Sequence, residues 1–170
     1  MSDGAEFGEA DRLAVGAFGE PGQRVFLLQI GQGERVLTVK VEKGQVTELV
    51  ASLERVMADR PLDSSPDRTA ARLADHAEPE WVVGSIRLGY DSRTERVALV
   101  LEEFRGEVAQ DDDEPATALI LISPQQVAAL VAEVSDLVAA GRPSCDLCGY
   151  PLDPSGHVCP KTNGHRPPKL

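Results

Sequence analysis

The chain has 170 residues, of which 42% are hydrophobic and 4% aromatic, and its formal net charge is −11. This length suffices for one hydrophobic core with a small appended segment, and the acidic balance disfavours broad binding to nucleic-acid phosphates. No apolar run approaches about 18 residues, so we expect no membrane-spanning helix.

The N-terminal segment and the cysteines indicate the compartment. Residues 1–11 are acidic and glycine-rich, the reverse of a secretory signal peptide. The three cysteines lie near one end, and their odd number fits metal ligation in a reducing compartment better than a disulfide scaffold. We therefore expect a cytoplasmic protein. The excess of arginine over lysine is typical of a GC-rich bacterial genome.

Two segments, residues 43–57 and 124–138, carry the same pattern of apolar residues. In both segments the apolar positions follow i, i+3, i+4 and i+7, which is the stripe of a helix buried on one side. Val46 precedes Val127 by 81 residues, and the other apolar positions keep this offset. Ser123 is a suitable N-cap for the second helix, since Pro124 then occupies its first turn.

The segments before the two helices also correspond, and each half of the chain is predicted to run strand, strand, strand, helix. The matched strands begin at 15–16 and 83–84, at 24–25 and 96–97, and at 36 and 117. Short loops between the strands indicate antiparallel pairing.

We predict an α+β domain over residues 11–140, built from internally duplicated βββα units with pseudo-two-fold symmetry. An antiparallel sheet would carry both long helices on one face. The first repeat spans about 11–60 and the second about 81–140. Residues 61–80, rich in Pro, Asp, Ser and Ala, form a linker with at most a short helix. The acidic stretch 111–114 is predicted to be a solvated hairpin tip, because nothing spaces its carboxylates for a cation.

The C-terminal segment, residues 141–166, has too few apolar residues to form a core, but a metal ion would order it. Cys145 and Cys148 form a Cys-x-x-Cys pair, so one tight turn can present two sulfurs to one ion. His157 and Cys159 are two residues apart and would point to the same side of an extended chain. We predict a zinc knuckle, with structural Zn²⁺ held by these four residues.

Two alternatives to this ligand set remain open. His165 could replace His157 as the fourth ligand. Alternatively, Cys145 and Cys148 could form a redox dithiol, which would leave His157 and Cys159 unexplained.

The sequence favours a non-enzymatic interaction or adaptor module, because it shows no nucleophile with an acid–base partner. One alternative is an enzyme or small-ligand protein with a site between the two repeats, near Arg87, Glu102 and His76. Another is nucleic-acid binding through the knuckle and the basic tail at 160–170, which the charge of the body opposes.

Three stretches, 15–24, 42–46 and 140–160, resemble an uncharacterised bacterial family known as DUF3090. The resemblance covers about 11–166, and the four predicted zinc ligands fall on ligand-like positions of the family. It implies a protein of GC-rich Gram-positive bacteria whose gene lies beside genes for a phosphatase-like and a kinase-like protein. Those neighbours are candidate protein partners. The resemblance implies no established activity.

Overall fold

The structure is a computed structural model that describes residues 5–20, 22–60, 66, 68–73, 78–106, 114–140, 144–150, 152 and 156–162. The strands of this part of the chain are β1 (Ala5–Glu9), β2 (Arg12–Phe18), β3 (Val25–Gln32), β4 (Arg35–Val41), β5 (Trp81–Asp91), β6 (Arg96–Glu103) and β7 (Thr117–Ile122). Its α-helices are α1 (Lys43–Val56) and α2 (Pro124–Ala139), and short 3₁₀ turns cover Arg68–Ala71 and Pro160–Thr162. None of these helices has the length and apolar content needed to cross a membrane.

The described strands form one mixed sheet in the order β1-β7-β6-β5-β4-β3-β2. Pairing is antiparallel within β2–β4 and within β5–β7, as predicted. The prediction of a wholly antiparallel sheet is wrong at two joins, because β4 pairs with β5 and β1 pairs with β7 in parallel. The first join is parallel because α1 and the linker carry the chain back before β5 begins, as a crossover connection requires.

The two edge strands of this sheet are neighbours in sequence. Only Ala10 and Asp11 separate β1 from β2, so the connection spans at most about 11 Å. Ala10 N donates to Leu121 O on β7 and Asp11 N donates to Gly31 O on β3, both at 3.0 Å. The sheet is therefore rolled until its edges meet, like the wall of a small barrel.

Strand β1 is an element that the sequence analysis did not predict. Its segment is short, and its one large apolar residue, Phe7, lies in the hydrophobic core with 3% exposure. Arg35 stacks over the Phe7 ring, 4.7 Å from its centroid. Because β1 pairs only with β7, far away in sequence, its pattern alone gives little sign of a strand.

The apolar stripes of the two helices and one face of the sheet form a single core, which confirms the predicted pair of amphipathic helices. Leu99, Leu101 and Ile120 of the central strands are completely buried. The helical members of the same core cluster are Val46, Leu49, Val50 and Leu53 of α1 and Val127, Leu130 and Val134 of α2.

A glutamine in the first turn of each helix makes the same two contacts. Gln45 Oε1 accepts from the N-cap N–H of Glu42 at 2.9 Å, and Gln126 Oε1 accepts from that of Ser123 at 2.8 Å. Gln45 Nε2 donates to Val83 O at 3.0 Å, and Gln126 Nε2 donates to Ala10 O at 2.7 Å. Gln45 thereby attaches α1 to β5, and Gln126 attaches α2 to the connection between β1 and β2. By these contacts, Val83 is the counterpart of Ala10 in the other half of the chain. The sequence pattern instead made Val15 the counterpart of Val83.

Candidate metal centre

The structure brings the four predicted zinc ligands together. The Sγ atoms of Cys145, Cys148 and Cys159 and a ring nitrogen of His157 all lie within 4.8 Å of one another. Cys148 Sγ is 3.6 Å from His157 Nε2. A tetrahedral zinc ion with bonds of about 2.3 Å to sulfur and 2.0 Å to nitrogen separates two such donors by about 3.5 Å. The Cys148–His157 distance agrees with that value, and the four donors together could hold one metal ion.

A tight turn positions the first two sulfurs. Gly149 N donates to Cys145 O at 2.7 Å, and Cys145 N donates to Tyr150 O at 2.8 Å. Gly149 has a φ of +76°, a left-handed conformation that glycine adopts without a Cβ clash. The glycine after the second cysteine thus lets the chain reverse while both thiols face the same point.

The second pair of donors lies on an extended segment that follows another left-handed glycine, Gly156, with a φ of +80°. Cys159 is completely buried and His157 is half-buried. Cys145, from the first pair, is also buried, with 6% exposure. The donors therefore face inward in a segment with few other buried side chains.

The electrostatics of the site favour a cation. The backbone N–H groups of Cys148 and Leu147 point at the Cys145 sulfur and lower its pKa to about 6. Burial raises the pKa of Cys148, with the neighbouring cysteines acting in the same direction. A divalent ion held between these donors would favour the ionised form of the sulfurs that contact it.

The site has the composition of a closed metal centre. Around a tetrahedral metal ion, four protein donors would leave no coordination position for a reacting water. In the described part of the chain, this is the one group of three or more cysteine, histidine or acidic side chains with donor atoms this close together. The arrangement can hold an ion and organise the backbone around it.

Of the three residues suggested for a site between the halves, the structure describes Arg87 and Glu102, which lie next to each other on the sheet. Arg87 Nη2 lies 3.5 Å from Glu102 Oε2 across β5 and β6, and their side chains are 66% and 36% exposed. This is an ordinary exposed ion pair. His76 and His165, and residues 111–113 of the acidic stretch, lie outside the described residues.

The sequence analysis did not single out the apolar side chains that the knuckle exposes. Leu147 is 53% exposed, Tyr150 61% and Val158 67%. Each lies within two residues of a cysteine in the ligand set. This closeness in sequence was the signal that could have pointed to them. We call these three residues the knuckle triad.

Comparison with known proteins gives one match. The model of a family described as "Protein of unknown function (DUF3090)" matches residues 5–159, which include the rolled sheet, both helices and all four donors. This finding confirms the resemblance seen in the sequence. Searches of curated proteins and of solved structures give no match.

Proposed function

The chain belongs to the DUF3090 family, and from its closed donor set we propose that it is a non-enzymatic, zinc-dependent interaction module of the cytoplasm. Structural Zn²⁺ would be held by Cys145, Cys148, His157 and Cys159. The observation that carries this proposal is that four protein donors lie within 4.8 Å of one another. Such a set builds structure, because it leaves no open position for chemistry.

The knuckle triad supplies the docking surface in this proposal. A segment with so little apolar content would ordinarily turn its few large apolar side chains inward. Here the metal donors face inward and the triad faces solvent. Exposed apolar groups next to a rigid, metal-held turn are suited to the desolvated centre of a protein–protein contact. The phosphatase-like and kinase-like gene neighbours are the first partners to try.

We further infer that the two halves are repeats of one βββα unit. Support comes from the offset of 81 residues between Gln45 and Gln126, whose side chains make matching contacts. The parallel pairings β4–β5 and β1–β7 also agree with this inference. In a rolled sheet with two-fold symmetry, a half-turn about the axis would place each of these pairings on the other.

The first test is the metal content of protein purified without added metal, measured by mass spectrometry. We expect one zinc per chain and its loss in Cys145→Ser and Cys159→Ser. A metal-free wild-type protein in which residues 144–162 are nevertheless folded would contradict the proposal.

The second test separates the docking surface from the metal. A variant carrying Leu147→Ser, Tyr150→Ser and Val158→Ser should keep its zinc but lose the candidate partner in a binding assay. Val36→Ser is the matched control, because Val36 is a 55% exposed apolar residue of the sheet. Equal binding by the triad variant and the wild type would rule out this surface. Capture of RNA in place of protein would favour the nucleic-acid alternative.

A further inference from the structure

A groove rich in arginine lies between the start of β2 and the segment that contains the 3₁₀ turn Arg68–Ala71. Its volume is about 800 Å³, and its lining includes Arg12, Arg68 and Arg72 together with one acid, Asp11. Val15 of β2 forms a parallel bridge with Arg72, so the linker segment runs along the edge strand. The groove thus lies between an edge strand and the linker segment, and α2 contacts that segment. It contains none of the four metal donors.

Glu133 of α2 positions two of the three guanidiniums. Its Oε2 accepts from Arg68 Nη2 at 2.8 Å and from Arg72 Nε at 3.2 Å, and its side chain is only 10% exposed. Arg68 also bonds Asp136, at 2.7 Å. Arg72 shares its one carboxylate with Arg68, and 66% of its side chain is exposed. Arg72 is therefore held in place at Nε while much of its side chain faces solvent.

The third guanidinium, that of Arg12, is held in place without a carboxylate. Arg12 Nη2 donates to the carbonyl oxygen of Arg72 at 2.6 Å. Its Nε is buried and has no hydrogen-bond partner, and no ion pair joins Arg12 to an acid of the described residues. The nearby acid Asp11 accepts from Gly33 N through Oδ2, at 2.6 Å. A charged guanidinium with a buried N–H that lacks an acceptor is unfavourable. An anion bound close to Arg12 would offset this loss of hydration.

We propose that this groove binds the oxyanion group of a small ligand, a phosphate or a carboxylate, between Arg12 and Arg72. A guanidinium presents planar pairs of N–H donors that match both groups. The contact from Arg12 Nη2 to the Arg72 backbone keeps the two arginines adjacent, and Glu133 fixes the second one. A groove of about 800 Å³ also has room for an organic portion attached to the anion.

Calorimetric titration of the intact, zinc-loaded protein tests this proposal, with inorganic phosphate and citrate as separate probes. We expect saturable binding of at least one probe, one per chain, that weakens as salt is raised. Arg12→Gln and Arg72→Gln should each weaken it at least about tenfold, the effect of losing one charged hydrogen bond. Arg87→Gln, which alters an exposed arginine on β5, should leave it unchanged.

Two further measurements keep the result interpretable. Zinc content should be the same in all variants, so a failure here is separate from a failure of the knuckle proposal. If Arg12→Gln does not fold, Arg12→Lys is the substitute. It keeps the charge but removes the planar pair of N–H donors, and it should still weaken binding. The proposal is overturned if neither probe binds saturably at millimolar concentration, or if Arg87→Gln weakens binding as much as Arg72→Gln.

Discussion

Glu133 shows how one side chain can fix a chain segment that has little apolar surface. Of residues 68–73, only Ala71 is a buried hydrophobic residue, yet the segment lies against both β2 and α2. The Glu133 carboxylate joins Arg68 and Arg72 to α2, and Arg12 joins the same segment to β2. Hydrogen bonds and ion pairs therefore hold this segment in place, whereas apolar packing holds the strands and helices.

Glu133→Gln is expected to lower the free energy of unfolding by about 1–3 kcal/mol, because it keeps the shape of the side chain but leaves Arg72 without a carboxylate and Arg68 with that of Asp136 alone. The value is below that of a fully buried pair, since the Arg68 and Arg72 side chains are 30% and 66% exposed. Urea denaturation measures it. Asp136→Asn is the control, and its loss should be much smaller because that carboxylate is 67% exposed. Equal losses would contradict this role for Glu133.

Two glycines should respond to alanine with opposite signs. A Cβ at Gly84 would lie 2.8 Å from Phe104 Cα, and Phe104 N donates to Val82 O, so backbone would have to move. Gly84→Ala should therefore destabilise by about 1–3 kcal/mol. A Cβ at Gly44, in the first turn of α1, meets no atom within 4 Å. Gly44→Ala should stabilise by up to about 1 kcal/mol through helix propensity. Chemical denaturation of both variants checks the pair, and a loss at Gly44 would show that its surroundings are not open.

At the scale of elements, the two first-turn glutamines connect the helices to the sheet. Each caps its own helix with Oε1 and bonds a backbone carbonyl of the sheet or its connections with Nε2. The second contact of Gln126 is made at Ala10, in the connection that closes the rolled sheet. A helix cap and the closure of the sheet are therefore coupled through a single side chain.

Gln126→Ala should cost about 1–2 kcal/mol of unfolding free energy, because it removes both a capping interaction and the hydrogen bond to Ala10. Gln45→Ala should cost a similar amount if the halves are equivalent. Gln125→Ala is a matched control, because that glutamine is exposed in the same turn of α2. Thermal and urea unfolding of the three variants gives the comparison. A Gln126 variant as stable as the Gln125 variant would show that the contact to Ala10 contributes nothing.

At the scale of the whole molecule, the sheet with its helices and the C-terminal segment that carries the four donors (the knuckle) differ in the side chains that they bury. The main core cluster comes mostly from strands and helices and contains none of the described residues between 144 and 162. The knuckle buries Cys145 and Cys159, while its three large apolar side chains are exposed. We expect the first part to be stable through packing and the second through the metal ion.

Removing the metal with a chelator, or replacing Cys159 with serine, should therefore unfold the knuckle and leave the sheet folded. Hydrogen exchange should show amides of 144–162 losing protection while β3 and β6 keep theirs. Ser144→Ala, at an exposed position beside the first ligand, should change neither part. Loss of protection throughout the chain would mean that the two parts do not fold separately.

The sequence by itself determined the features that depend on neighbours along the chain. The apolar stripes of α1 and α2 follow from helical periodicity, and the Ser123–Pro124 start follows from capping chemistry. The spacing of Cys145, Cys148, His157 and Cys159 over one short segment was sufficient to predict that their donor atoms would meet. The antiparallel pairs β3–β4 and β5–β6 were predictable for the same reason, since short loops leave the chain few other geometries.

Only the tertiary structure decided how these pieces close on one another. The parallel joins of β4 with β5 and of β1 with β7 connect segments that lie far apart in sequence, and no local periodicity encodes their register. The meeting of Arg12, Arg72 and Glu133 likewise requires β2, the linker and α2 to pack together. Contacts of this kind depend on the shape of the whole rolled sheet, so they become visible only when the chain has folded.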